Sequence, residues 1–82
     1  MMWTDFISTV LVVFESLLER KMELKQAAEQ IEKAGEGVNQ ETVGYLIDLV
    51  SEVDADRDEV LQLLDFLRKS PTEQELRKFV TT

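Results

Sequence analysis

From Thr4 to Ala34 the chain contains no glycine, proline or asparagine, so nothing local stops a helix from running through the segment. A heptad frame starting at Trp3 puts Trp3, Val10, Leu17, Leu24 and Ile31 at one core position. Phe6, Val13, Arg20, Ala27 and Ala34 fall at the other. All but Arg20 are apolar, which is the pattern of one continuous helical seam. Ile7, Phe14 and Ala28 widen it on one flank. Thr4 is the expected N-cap. The expected element is one long helix over 4–34, with Arg20–Glu23 as its only candidate break.

Glycine and proline punctuate the rest. Gly35 is the expected left-handed residue ending the long helix, and Asn39 caps the next one. Val43, Leu46, Ile47, Val50 and Val53 then recur at three- and four-residue spacing, the signature of one buried helical face. Gly44 lies within that helix and marks a close helix contact in this reading. Asp56 and Glu59 form an acidic version of a capping box opening a third helix. Val60, Leu61, Leu64 and Leu67 face inward from it, with Leu63 and Phe66 beside them. Ser70-Pro71-Thr72-Glu73 starts a last helix, with Ser70 as cap and Pro71 at the first position, and Leu76, Phe79 and Val80 on its apolar side. The fold class is therefore all-α. One domain over 1–82 holds a long N-terminal helix and three shorter ones, at about 4–34, 40–53, 57–69 and 72–80.

Composition narrows the function classes. The 82 residues include no Cys and no His, which excludes disulfide staples, the usual zinc sites, and Ser-His-Asp or Cys-His catalysis. Lys and Arg number 9 against 17 Asp and Glu, for a net charge of −8, so a basic nucleic-acid footprint is absent. No cofactor motif is present either. Gly35-Glu36-Gly37 is too short and too acidic to cradle a phosphate.

Two features carry the functional expectation. The first is Phe6–Phe14, in which only Ser8 and Thr9 are polar. The stretch is not a signal peptide, because Asp5 precedes it and Glu15, Glu19 and Arg20 follow. It is not a membrane span either, since nine helical residues rise only about 14 Å against a hydrocarbon layer of roughly 30 Å. Leu11 and Val12 fall on what should be its polar back. A domain of this size buries only about 60–65% of its unfolded surface. A second chain is therefore the expected cover: a helical-bundle homodimer, or a protein partner, held through Trp3, Phe6, Ile7, Val10, Leu11, Val13, Phe14 and Leu17.

The second feature is charge asymmetry. Residues 36–65 carry Glu36, Glu41, Asp48, Glu52, Asp54, Asp56, Asp58, Glu59 and Asp65 against Arg57 alone, while the remaining residues balance. A localised field of one sign favours encounter with a basic partner. Glu41, Asp48, Glu52, Asp54, Asp56, Asp58 and Glu59 are the expected recognition surface.

The stretch EVDADRDEVLQLLDFL resembles the second half of an EF-hand. Taking Asp54 as loop position one, Asp56 and Asp58 fall at three and five, Leu61 at eight and Asp65 at twelve. The resemblance is confined to this stretch and to an entering helix over 42–53. It implies calcium held by Asp54, Asp56, Asp58 and Asp65, with the Val60 carbonyl as a further ligand. The sequence departs from the pattern at position six, where Glu59 stands in place of Gly, and at position twelve, where Asp stands in place of Glu. Leu24–Ala34 followed by Asn39–Val53 also resembles a helix-turn-helix DNA reader. Its would-be recognition helix carries Glu41, Asp48 and Glu52 and no cation, so direct nucleic-acid binding is not expected.

The expected function is thus that of a non-enzymatic, cytoplasmic helical interaction module, a small regulator, adaptor or inhibitor that takes no cofactor. One alternative is an acidic inhibitor that imitates nucleic acid to block a basic nucleic-acid-binding protein. The other is a degenerate calcium module.

Overall fold

A computed structural model describes residues 3–81, the side chains of Val80 and Thr81 excepted. Val80, expected on the inner face of the last helix, lies outside the described side chains. The described residues form helices and connecting turns only: α1 Trp3–Leu18, α2 Leu24–Ala34, α3 Gln40–Ser51, α4 Arg57–Leu67 and α5 Glu73–Thr81. Helix α1 packs against α2 and α4, α2 against α3, and α3 against α5. Among the described residues no helix is long and apolar enough to cross a membrane.

The single long helix expected over 4–34 is two helices. Arg20, with φ 60°, is left-handed. Around it the Lys21 N–H donates to the Ser16 carbonyl at 2.8 Å and the Arg20 N–H to the Leu17 carbonyl at 3.1 Å. Those are the two bonds of a Schellman ending, with Arg20 where glycine usually stands. The reason is global rather than local. A straight helix over 4–34 would be about 46 Å long, whereas the molecule measures 29 Å along its longest axis. Folding back lets α2 cover one side of α1 while α4 covers another. The break falls at the one polar residue in the seam, and Leu24 just beyond it is the one apolar seam residue left exposed, at 44%.

That return supplies the cover that four helices seemed to lack. Phe6, Val10, Val13 and Phe14 are fully inaccessible, and Ile7 and Leu17 are buried. They meet Ala27 and Ile31 from α2, Leu46 and Val50 from α3, Val60 and Leu63 from α4, and Leu76 from α5 in one core. On the outer side of α1, Thr4, Asp5, Ser8 and Val12 face solvent and Leu11 is half-buried. The chain shields the inward side of its own apolar stretch, while Val12 stays 58% exposed.

The caps follow local chemistry in part. Asn39 Oδ1 accepts from the backbone N–H of Glu41 at 2.9 Å and of Thr42 at 3.4 Å, as expected of an N-cap. Asp56 occupies the N-cap position of α4 but makes no side-chain cap bond. Thr4 is not a cap, because α1 already includes Trp3. The start of α5 lies two residues beyond the Ser70 reading. Thr72 Oγ1 accepts from the Glu75 N–H at 3.2 Å, and Glu75 Oε1 accepts from the Thr72 N–H at 3.0 Å. This is a complete capping box. Ser70 is instead left-handed, with φ 53°, and turns the chain after α4. Gly35 is not left-handed (φ −85°); Gly37, with φ 86°, takes that role.

Candidate interaction surface

The inward positions of α3 dictate what its outer face shows. Val43, Leu46, Leu49 and Val50 are buried, which leaves Glu41, Tyr45, Asp48 and Glu52 at steps of four, three and four. At 100° per residue these positions fall within about 60° of one another, a single line along the helix. Glu41, Asp48 and Glu52 are exposed and Tyr45 is half-buried. The turn after α3 is pinned by buried Val53, and α4 begins beside the stripe.

Beyond the shared core, a hydrogen bond joins α3 to α4. The Tyr45 hydroxyl donates to Glu59 Oε1 at 2.7 Å. Burial raises the Tyr45 phenol above its ordinary pKa, with further upward pushes from the Glu59 hydrogen bond and charge and from the charges of Asp56 and Glu52. Tyr45 thus stands among three carboxylates, Glu52 and Asp56 from the turn and Glu59 from α4. Asp54, Asp56 and Asp58 are exposed, and Glu59 is half-buried with its carboxylate engaged by the phenol. The ion pairs Lys21–Glu19 at 3.5 Å and Arg68–Glu15 at 3.8 Å lie outside residues 36–65.

This arrangement has a testable pH signature. A phenol whose pKa is raised in the folded state contributes its stability in full below the unfolded value of about 10. The contribution is lost as pH rises through the higher folded value. Denaturant midpoints of the wild type should therefore fall above about pH 10 relative to Tyr45→Phe, with the gap constant between about pH 6 and 9. Tyr45 is the only tyrosine, so its absorbance titration reads the phenol directly. A midpoint at or below about 10 contradicts the geometry.

The calcium reading finds no support in the geometry. Among the described residues no group of three or more carboxylates is placed to hold a metal ion. Without glycine at loop position six, α4 starts at Arg57, early in the would-be loop. Asp58 and Asp65 then ride on one helix about 10 Å apart along its axis, and Asp54, Asp56, Asp58 and Asp65 do not converge.

The apolar interface expected from sequence is dispersed in a different way. Phe6, Val10, Val13, Phe14 and Leu17 belong to the core. Trp3, Ile7 and Leu11 line an open cleft of about 380 Å³, together with Leu67 at the end of α4 and Arg68 and Pro71 from the α4–α5 turn. From sequence Leu67 and Pro71 read only as a core residue and a helix start, and Arg68 was not singled out. Their approach to α1 depends on a contact between chain ends, the Trp3 indole N–H donating to the Pro71 carbonyl at 2.7 Å, and no local pattern announces it.

No protein-family model matches this sequence, and no curated protein or solved structure matches it significantly.

Proposed function

We propose that this protein is a non-enzymatic interaction module whose α3–α4 face binds a basic protein surface. The observation that supports the reading is the concentration of exposed charge. Glu41, Asp48 and Glu52 form one stripe, and Asp56 and Glu59 extend it past Tyr45. Clustered carboxylates of one sign speed encounter with a cationic partner and bias its orientation. Tyr45 adds an amphipathic ring at the centre, the kind of residue that anchors protein interfaces. The partner is accordingly a Lys/Arg-rich segment or patch with an apolar residue to set against the ring. This reading requires no homodimer, since Phe6, Val10, Val13, Phe14 and Leu17 of α1 are packed within the chain's own core.

The test separates a shaped site from bulk charge. Binding of a fluorescent arginine- and lysine-rich peptide is compared for Asp48→Asn/Glu52→Gln/Asp56→Asn and for Glu23→Gln/Glu29→Gln/Glu32→Gln. Both triple variants remove three exposed acids. The first should weaken binding about tenfold or more at low salt, with the loss shrinking as salt screens it. The second should change it by about twofold or less. Equal losses in the two variants would sink the proposal.

A further inference from the structure

We infer that the cleft between the start of α1 and the α4–α5 turn binds a small carboxylic acid with a hydrocarbon tail. This second site shares no residue with the acidic face and does not depend on it. At about 380 Å³ the cleft falls within the range of roughly 300–1,000 Å³ typical of small-ligand sites. Its floor is Ile7 and Leu67, 5% and 1% exposed, and half-buried Trp3 and Leu11 flank it. Trp3 is held in place on two sides, by its 2.7 Å bond to the Pro71 carbonyl and by Phe6 with ring centres 5.4 Å apart. The bond uses the one donor an indole has, so the ring offers the cleft only apolar surface. A wall fixed before binding spares a ligand the entropy of ordering it.

The rim supplies the selectivity for an anion. Arg68 lines the cleft, and its pairing with Glu15 is long, at 3.8 Å, between side chains 56% and 46% exposed. Such a pair is weak and exchangeable, which leaves the guanidinium available to take a carboxylate on two nitrogens. The C-terminal part of this acidic chain is also one where cations prevail. Residues 66–82 hold Arg68, Lys69, Arg77 and Lys78 against Glu73 and Glu75, whereas 1–35 and 36–65 each carry more acids than bases. A cationic ligand would meet Arg68 and be repelled. A neutral hydrocarbon would leave it unused.

Trp3 is the only tryptophan, so its fluorescence reports on this cleft alone. Sodium octanoate is the probe and octan-1-ol the control with the same tail and no charge. Octanoate should give a saturable change in Trp3 emission with Kd of about 0.1–1 mM, a realistic affinity for about ten heavy atoms. Octanol should bind about five- to tenfold more weakly, and Arg68→Gln should lose octanoate affinity by the same factor while leaving octanol unchanged. Arg68 is exposed, so this variant keeps the fold. Leu11→Asp, checked for native circular dichroism, should abolish saturation for both. The proposal is overturned by a Trp3 signal that does not saturate up to about 10 mM, by equal affinity for the alcohol, or by an Arg68→Gln variant that binds octanoate like the wild type.

Discussion

Val10→Glu unfolds this protein at 25 °C, while Val12→Glu, two residues along the same helix, shifts its stability by less than about 0.5 kcal/mol. Val10 is fully inaccessible and sits in the centre of the core. A carboxylate there has no cation or donor within the apolar cluster. It either stays charged without water or takes up a proton against a cost of several kcal/mol, and the valine contacts are lost as well. An 82-residue domain has about 4–12 kcal/mol of total stability, so the folded state is lost or nearly lost. Val12 is 58% exposed and its replacement meets water. Far-UV circular dichroism with urea melts measures both, and sedimentation measures the mass. The pair of variants also decides between a self-contained core and an intermolecular one. A Val10→Glu chain that keeps native helicity and merely halves its mass would place Val10 between subunits, contrary to the packing described. A large loss from Val12→Glu would show that the outer face of α1 is covered after all.

What the sequence makes legible, and what it hides, divides along the range of the interactions involved. The Asn39 cap and most of the inner face of α3 depend on residues within one turn and stand where capping chemistry and periodicity put them, except that Leu49 is buried and Ile47 only half-buried. The acidic stripe is of the same kind, because Glu41, Asp48 and Glu52 follow automatically once Val43, Leu46 and Val50 turn inward. The α1–α2 break depends on something else. No residue from Glu19 to Glu23 forbids a helix, and a left-handed arginine carries a penalty of roughly 1 kcal/mol. That strain is offset only by the burial that α2 gains on folding back across α1, a gain invisible to any local window. The expectation of a companion chain rested on the same straight-helix assumption. A helix apolar on nearly every side reads as needing outside cover when its own chain is taken to run straight on. The start of α5 moved for a similar reason. Pro71 is buried, with its carbonyl held by Trp3, so the chain follows that contact first and begins its helix two residues late.

Gly35 and Gly44 invert their sequence readings, and replacing each by alanine gives effects of opposite sign. Gly44 was read as a close helix contact, yet a Cβ there meets nothing within 4 Å, and the position is exposed inside α3. Gly44→Ala should therefore stabilise the protein by about 0.5–1 kcal/mol, the ordinary gain from removing glycine's backbone freedom in a helix. Gly35 was read as a left-handed cap, but its φ of −85° suits any residue. Its demand is for space, because a Cβ would lie 2.5 Å from Val43 Cγ2, 3.2 Å from Val43 Cγ1 and 3.1 Å from the Ile31 carbonyl oxygen. Both valine methyls are in the way, so rotating χ1 exchanges one clash for another, and Val43 is itself buried at 2% exposure on α3. The neighbour on the other side is helix backbone. Relief requires α2 and α3 to move apart, an overpacking strain of about 1–3 kcal/mol that exceeds the entropic gain of about 0.4–1 kcal/mol from losing glycine. Urea midpoints should fall for Gly35→Ala and rise for Gly44→Ala. Val43→Ala combined with Gly35→Ala gives a further check, since removing both methyls abolishes the clash and the double variant should lose less than the sum of the two single changes. Strict additivity would mean that α2 and α3 do not approach through this glycine.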